Sequence, residues 1–399
     1  MFSRLNRGAL LLALLTLGLA ALAQTTKPTP AFIAANNAFG FHLYAALAKT
    51  DGQRNLFISP LSIEYALTMT ANGARGETFT QMANTLGWKA TPLAQVNAGF
   101  HALTKRLLIA DPKVQIALAD SLWLSKHDTF RDAFLHANQQ YFGAEMRRVS
   151  FGDPATVPAM NAWVKEQTHG MIPKLVEKND VDSTTPLVLL NALYFKGRWS
   201  APFDPNQTSL QPFTAASGAI EQVKMMGLRS KFQYFADDKL QVVKLPYGNG
   251  SMSMLIFLPR SSQKLKAIAG TVFTQTGWAR YAAQLTPRSG LVQLPRFQAD
   301  YSILLNDALK ALGMTDAFAP RADFSGIDGL RDTWIKIVRH KTVLEVGELG
   351  TEAAAATQVS TARSIPLTTF TMTVDHPFLF AIQQQDGTLL FLGSISKPE

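Results

Sequence analysis

Apolar residues recur at helical spacing over most of the first half of the chain. The stretch Ala31–Lys49 predicts an amphipathic helix with one apolar stripe, formed by Phe32, Ala35, Phe39, Leu43 and Leu47. Pro60 begins a second predicted helix that ends near Asn72, and Ser59 directly before it has the side chain of a helix cap. The same periodicity predicts four further helices, over Glu77–Leu86, Leu93–Ile109, Arg131–Phe142 and Pro158–Thr168.

Strand patterns dominate the second half. Leu187–Phe195 is almost continuous in Val, Leu, Tyr and Phe, which is typical of a strand that is buried on both faces. Alternation predicts an earlier strand over Val114–Leu124. Other strands are predicted over Met252–Leu258, Leu291–Phe297, Trp334–Val346, Phe378–Ile382 and Leu389–Ile395. Because helices and strands do not alternate regularly, the pattern favours an α+β fold.

The first 23 residues have the pattern of a cleavable export signal. Arg4 and Arg7 precede an apolar run over residues 8–22, and Ala21-Leu22-Ala23 supplies the small residues of a cleavage site. A membrane anchor is the alternative, but the run is short for the ~20 residues that a span requires. We therefore expect a secreted protein, extracellular or periplasmic, whose mature chain is residues 24–399.

Composition narrows the function mainly by exclusion. The chain of 399 residues is 47% hydrophobic and 17% charged, which excludes a disordered protein. It has no cysteine, which excludes a disulfide scaffold and any thiolate site. The formal charge of +9 becomes 36 − 29 = +7 without Arg4 and Arg7. Basic residues are too scattered for a nucleic-acid footprint, although this charge is compatible with weak polyanion binding.

Catalytic and cofactor motifs are absent from the sequence. It contains no nucleophile elbow G-x-S-x-G, no zinc motif H-E-x-x-H and no glycine-rich phosphate loop. The seven histidines are scattered without i, i+4 pairing. We therefore expect no enzyme activity, no cofactor and no metal. A secreted hydrolase is the alternative, and turnover of a generic ester would reveal it.

The most unusual segment lies near the C-terminus, where the sequence from Glu348 to Thr357 reads ELGTEAAAAT. Four alanines in a row usually form helix, but here a β-rich run precedes them and the β-tolerant stretch 358–361 follows. One interpretation is a helical turn or a flexible surface loop. The other is a loop that can become a strand, in which one face is formed by Thr351, Ala353, Ala355, Thr357 and Val359.

The sequence resembles the serpin family over about residues 31–397. Motifs that follow the order of the family carry the resemblance: NLFISPLSI at 55–63, NALYFKGRW at 191–199, LPRF at 294–297, ADFSG at 322–326, GTEAA at 350–354 and DHPFLF at 375–380. Agreement at so many spaced sites is not a matter of chance.

The resemblance implies one domain with three β-sheets, eight or nine helices and an exposed reactive loop at about residues 350–366. In the family, a target protease cleaves this loop and is trapped as an acyl-enzyme, while the loop inserts as a new strand into the central sheet. The resemblance thus implies a monomeric suicide-substrate inhibitor, whose partner is a serine protease in a covalent complex. A non-inhibitory relative that acts as a binding or carrier protein is the alternative.

The resemblance assigns the hinge of this loop to Glu348, Gly350, Thr351, Glu352, Ala353, Ala354, Ala355 and Ala356. Small side chains there are typical of inhibitory members, and no proline occurs between the hinge and Pro366. The commonest family spacing places the cleaved bond at Ser364–Ile365, which would suit a small-pocket protease such as an elastase. A spacing one residue shorter places it at Arg363–Ser364, which would suit a trypsin-like protease. We prefer Arg363, because no other Lys or Arg lies between Lys341 and Lys397.

Further matched positions belong to the conformational switch of the family. Its shutter, a buried polar cluster beneath the point where the central sheet opens, is matched by Ser59, Ser62, Asn191 and His340. Trp199 matches the breach, where insertion begins. Arg296 and Glu348 match a salt bridge at the hinge. Taken alone, His340 would be read as an ordinary buried histidine.

Overall fold

The computed structural model describes residues 28–50, 54–89, 91–109, 111–127, 129–260, 265–351 and 369–398. These residues form nine α-helices and fifteen strands. None of these helices combines the length and the apolar character that a membrane crossing requires. The predicted export signal, residues 1–23, lies outside the described residues.

The six predicted helices match the structure to within two residues at either end, whereas the last three of the nine described helices were not predicted. Their bounds are α1 Pro30–Thr50, α2 Pro60–Ala71, α3 Gly76–Thr85, α4 Leu93–Ile109, α5 Asp132–Phe142, α6 Thr156–Gln167, α7 Leu265–Val272, α8 Gln275–Gln284 and α9 Asn306–Ala311. Ser59 caps α2, because its hydroxyl accepts a hydrogen bond from the Ser62 backbone nitrogen.

The central sheet has the strand order β10-β11-β12-β4-β2-β3. Its strands are β2 Val114–Ser125, β3 Glu145–Val149, β4 Leu187–Arg198, β10 Phe297–Leu304, β11 Ile335–Gly347 and β12 Gly350–Thr351. The long strands β4 and β11 are parallel and pair directly with each other over most of their length. The short β12 is antiparallel to both of them.

The second sheet has the order β1-β15-β14-β8-β7-β6-β9-β13, with β5 paired to β6. Its strands are β1 Leu56–Ile58, β5 Ser209–Thr214, β6 Ile220–Ala236, β7 Leu240–Tyr247, β8 Met252–Pro259, β9 Thr286–Pro295, β13 Phe370–Thr373, β14 Phe378–Gln384 and β15 Leu389–Ile395.

Strand β6 explains why hydrogen bonding joins the described strands into two sheets where the resemblance implies three. It is 17 residues long, pairs with β5 and β9 over most of its length, and pairs with β7 at its end. The strands on the β7 side and those on the β9 side of β6 are therefore hydrogen-bonded through β6 into one continuous sheet.

The predicted strand Leu291–Phe297 is wrong as a single element. Leu291 to Pro295 end β9, whereas Phe297 begins β10 in the central sheet. Arg296 lies between them, and its backbone nitrogen donates to the Lys224 carbonyl. The end of β9 and the start of β10 are both buried, so apolar residues continue across the break. The hydrophobic pattern therefore did not show where one strand ends and the next begins.

Helix α2 lies at the centre of the main hydrophobic core. All twelve of its residues are buried, and it packs against β2, β4 and β15. A second, smaller cluster covers the other face of the central sheet and includes Trp163 and Val164 of α6. The central sheet is therefore buried on both faces, as the composition of Leu187–Phe195 predicts.

One buried acid in α2 makes the stability of the fold depend on pH. Glu64 is 1% exposed and accepts a hydrogen bond from the side-chain amide of Asn36 in α1. Burial raises the pKa of Glu64 to about 8. The native state therefore binds a proton that the unfolded chain loses near pH 4.5, so this residue lowers the stability as the pH rises from about 5 to 8.

We expect Glu64→Gln to flatten this pH dependence. A neutral side chain does not titrate, so the variant should gain about 3 kcal/mol of stability over wild type between pH 5 and pH 7. Thermal unfolding midpoints across this range, at one scan rate, measure the effect. Glu77→Gln on the exposed face of α3 is the matched control, and parallel curves for wild type and Glu64→Gln would contradict the prediction.

Candidate functional site at the opening of the central sheet

The parallel strands β4 and β11 pair directly with each other from their N-terminal ends, which we call the lower part of the sheet. At their C-terminal ends, the upper part, they are separated by β12. Residues from Ile335 to Val343 pair with residues from Leu187 to Tyr194, which leaves no room for a strand between them. Above this point, β12 enters the gap. Gly350 pairs with Gly347 and Arg198, and Thr351 pairs with Val346 and Gly197. The first two residues of the predicted loop thus already occupy a strand position.

Gly350 is required at this entry by backbone geometry. Its φ is +149°, and a Cβ atom at this position would lie 2.0 Å from the carbonyl oxygen of Gly197. No other residue fits so close to a neighbouring backbone. The glycine of the predicted hinge therefore lies where the chain turns into the sheet.

Thr351 fixes which face of the new strand points into the core. The residue is 1% exposed, and its hydroxyl forms a 2.8 Å hydrogen bond with the hydroxyl of Tyr247 on β7. Since side chains alternate along a strand, later odd-numbered residues of an inserted loop would face the same way. The structure therefore shows Thr351 facing inward, and alternation would turn the next residue of an inserted strand outward.

Glu348 anchors the turn just before this entry. One of its carboxylate oxygens accepts hydrogen bonds from Arg296 Nε at 2.7 Å and from the Thr208 hydroxyl at 2.6 Å. Arg296 Nη2 lies 2.5 Å from the same oxygen, and Glu348 is 4% exposed. Burial raises the pKa of Glu348, but the bonds from Arg296 and Thr208 outweigh this effect and hold the pKa below its usual value. The carboxylate is therefore charged and ties the turn before β12 to Arg296 and Thr208, which border strands of the second sheet.

Trp199 covers the same opening from the end of β4. Its indole nitrogen donates to the Gly347 carbonyl at 2.9 Å, and its ring stacks on Tyr247 with 4.3 Å between centroids. Its backbone nitrogen donates to the Leu349 carbonyl at 3.0 Å. Trp199 thus contacts both strands that flank the opening, at the position that the resemblance assigns to the breach.

Ser59, Ser62, Asn191 and His340 lie together under the closed part of the sheet. Asn191 of β4 and His340 of β11 are paired residues, and their side chains are hydrogen-bonded to each other. Asn191 also donates to the Ser62 hydroxyl, and His340 Nε2 accepts from the Ser59 backbone nitrogen at 3.1 Å. Burial lowers the pKa of His340 to about 3, so the ring is neutral at physiological pH. The polar cluster therefore joins β4, β11 and α2 across the line where the sheet would open.

Sequence reasoning missed three members of these clusters, one of which is Thr208 beside Glu348. Asp120 of β2 is buried and accepts a hydrogen bond from Asn191, and burial raises the pKa of its carboxyl well above the usual value. Tyr247 belongs to a strand that the apolar pattern did not predict. Only Asp120 could have been noticed in the sequence, because this acidic residue continues the apolar face of the alternating strand β2.

Some of the predicted site residues lie outside the described residues. These are Glu352, Ala353, Ala354, Ala355 and Ala356 of the hinge, and Arg363, Ser364 and Ile365 at the two candidate bonds. Within the described part of the chain, no group of three His, Asp or Glu residues could hold a metal ion.

Comparison with known proteins supplies the family. The model of the family described as "Serpin (serine protease inhibitor)" matches residues 34–398. The chain is 38% identical over 376 residues to the leukocyte elastase inhibitor of Bos taurus, covering 92% of this chain and 99% of that protein. It is 36% identical over 376 residues to the leukocyte elastase inhibitor of Homo sapiens, covering 91% and 98%.

The solved structures agree with this result. The crystal structure of a thermophilic serpin, tengpin, in the native state matches with a TM-score of 0.86 and 31% identity, covering 92% of this chain and 95% of tengpin. The α+β fold expected from the sequence is thereby confirmed. With its family match from residue 34 to residue 398 and a hinge that enters the central sheet between β4 and β11, the chain belongs to the serpin family.

Proposed function

We propose that the protein is an exported inhibitor of serine proteases that works by loop cleavage, acyl-enzyme trapping and loop insertion between β4 and β11. One observation carries the proposal: β12 already lies between these strands in a register that can be continued downward without a shift. The target protease is the covalent partner.

The register can be followed residue by residue. Thr351 is opposite Val346 of β11 and Gly197 of β4, so each further loop residue meets the preceding residue on both strands. Ala354 would then meet Val343 and Tyr194, which pair with each other in the closed sheet. The same agreement extends to residue 360, which would meet Ile337 and Val188, again a pair in the closed sheet. A strand fits between β4 and β11 once they separate.

Alternation decides which loop side chains would be buried under the sheet. From Thr351, the inward positions are Ala353, Ala355, Thr357 and Val359. Thr357 would lie between Asn191 and His340, whose mutual hydrogen bond an inserted strand must break. A hydroxyl can donate to one of these groups and accept from the other, so the polar cluster regains its partners. Small side chains and one hydroxyl suit this path.

The same register places the acyl-enzyme at the opposite pole of the sheet. Residue 361 would meet the lower ends of β4 and β11, so Arg363 and Ser364 would lie just beyond them. The twelve steps from Thr351 to Arg363 span roughly 40 Å at ~3.3 Å per residue. A protease attached there would be carried along the full height of the central sheet.

The proposed target class is the trypsin-like proteases, with cleavage at Arg363–Ser364. Arg363 supports it, because an acidic specificity pocket prefers a guanidinium. The names of the leukocyte elastase inhibitors support the second candidate, cleavage at Ser364–Ile365 by an elastase-like protease. The two candidates differ by one residue and can be separated by the mass of one fragment.

Incubation with trypsin-like and elastase-like proteases tests the proposal. We expect an SDS-stable complex and a released C-terminal fragment that begins at Ser364. We expect Arg363→Ala to lower the rate of complex formation with the trypsin-like proteases about a hundredfold. Arg331→Ala, which removes an exposed arginine elsewhere, should have no effect.

Three other outcomes contradict parts of the proposal. A fragment that begins at Ile365 would show that the protease cleaves after Ser364 and not after Arg363. Cleavage by every protease without a stable complex would favour a binding or carrier protein. Export is tested separately, since protein recovered from outside the cytoplasm should begin at Gln24; an intact N-terminus there would contradict removal of the signal.

A further inference from the structure

The segment that connects α6 to β4, residues 168–186, covers the outer face of the closed central sheet; we call it the covering segment. Four of its apolar residues are buried in the smaller hydrophobic cluster together with residues of β4 and β11: Ile172, Leu175, Val176 and Val181 with Val188, Leu190 and Ile337. The segment ends directly at Leu187. It is therefore covalently continuous with one of the two strands that must separate.

Two acidic residues of the covering segment form ion pairs with the other strand. Asp180 contacts the guanidinium of Arg339 on β11, and the two side chains are only 14% and 16% exposed. Asp182 lies 3.4 Å from Lys336 Nζ, in a more exposed pair. Asp180 is also held in place locally, because its second oxygen accepts a hydrogen bond from the Glu177 backbone nitrogen at 2.8 Å. A segment that leads into β4 is thus attached electrostatically to β11.

An inserted strand is incompatible with this arrangement. In the closed sheet, Arg339 lies opposite Leu190 of β4. Insertion would move the two strands apart by one further strand spacing, about 4.8 Å. Asp180 is seven residues from the start of β4, so the covering segment cannot keep its position on β4 and its ion pair with Arg339 at the same time. The ion pair must break or the whole segment must move.

We propose that Asp180 and Arg339 form a clasp that slows the second half of loop insertion. This inference rests on the proposed function, since it concerns the rate of the same conformational change. Residues 352–357 meet β4 and β11 above Leu190 and Arg339, so they can enter first. Residue 358 takes the place between Leu190 and Arg339 and requires the clasp to open. The clasp lowers the rate of insertion and so leaves more time for deacylation. Neither Asp180 nor Arg339 touches a reacting atom, so both are positioning residues.

Uptake of a synthetic peptide measures opening of the sheet without any protease. The peptide has the sequence of residues 352–362, which follow the residues already paired in β12, and its incorporation into the intact protein is followed well below the thermal midpoint. We expect Arg339→Gln and Asp180→Asn to take up the peptide about fivefold faster than wild type at low salt. An asparagine at position 180 still accepts the hydrogen bond from Glu177, so this variant removes the charge and keeps the local turn.

Salt and charge exchange separate a clasp from a general loss of stability. About 0.5 M NaCl should accelerate uptake by wild type more than uptake by either variant, because the variants keep only the more exposed pair of Asp182 with Lys336. The double exchange Asp180→Arg with Arg339→Asp should restore slow uptake. Arg106→Gln is the matched control, since it removes a 2.6 Å ion pair with Asp386 remote from the sheet opening; we expect wild-type uptake.

Wild-type uptake rates in both single variants would overturn the clasp, and so would equal acceleration in Arg106→Gln. If the single variants fold poorly, the salt dependence of wild type decides alone, and a flat dependence overturns the inference. Failure of the proposed function gives a different result. In that case no protease forms a stable complex with wild type, but peptide uptake still measures the effect of the clasp.

Discussion

Replacing Thr351 by arginine is expected to convert the protein from an inhibitor into a substrate of its target protease. Thr351 is buried against Tyr247, so an arginine would leave this place in the native protein, and insertion would then have to bring the charge into the core beneath the sheet. A barrier raised by about 3 kcal/mol slows insertion roughly a hundredfold. Deacylation is unaffected and therefore overtakes insertion. SDS gels should show cleaved protein, free protease and almost no complex.

The strand phase supplies the control for this variant. Glu352→Arg places the same charge on the adjacent, outward position, where it can stay in water, and Thr351→Ser keeps the hydroxyl for Tyr247. Both variants should still form the covalent complex. If Thr351→Arg inhibits as well as wild type, or if Glu352→Arg fails as badly, the inward phase of Thr351 does not govern insertion and the proposed register is wrong.

Glu348→Lys is expected to make the protein polymerise on mild heating. The substitution removes a nearly buried carboxylate from Arg296 and Thr208 and puts a second cation beside Arg296. Breaking a pair in which only the carboxylate is buried costs about 1–3 kcal/mol. The turn before Gly350 is then released, and the opened strands β4 and β11 can accept the loop of another molecule. Size-exclusion chromatography after incubation should show loss of monomer.

Two variants test the cause of this effect. Glu345→Lys makes the same charge change three residues earlier on an exposed position of β11 and should leave the protein monomeric. The double exchange Arg296→Glu with Glu348→Lys restores opposite charges and should recover most of the monomer. Unchanged monomer content in Glu348→Lys after heating would show that the ion pair does not secure the hinge.

In the proposed inhibitory cycle, the entering loop would meet three sets of contacts around the opening of the central sheet. Glu348, Arg296 and Trp199 act at the top, Asn191 and His340 in the middle, and the clasp of Asp180 and Arg339 on the outer face. An entering loop would meet them in that order, because its register runs downward from Thr351. Each set can therefore be tested by a variant that leaves the others intact.

The sequence by itself predicted six of the nine described helices, several of the strands, the resemblance to the family and the set of hinge residues that share one face of a strand. Periodicity located α1, α2 and β4, because amphipathic helices and doubly buried strands impose their own spacing on the chain. The resemblance assigned the hinge, and the small side chains of Gly350, Thr351 and the alanines at 353–356 suit a strand that enters a packed sheet. Strand alternation placed Thr351 on one face with Ala353, Ala355, Thr357 and Val359, and the contact of Thr351 with Tyr247 shows that the side chain of Thr351 points into the core.

Only the tertiary structure decided which groups meet. Asn191 is 129 residues from Ser62 and 149 from His340, and nothing in local periodicity encodes such pairs. Asp120, Tyr247 and Thr208 entered the site through strand register and packing, and the break at Arg296 through the change from one sheet to the other. The clasp between Asp180 and Arg339 joins residues 159 apart. Hydrogen bonds and ion pairs act over a few ångströms in space, whereas sequence patterns act over a few residues along the chain.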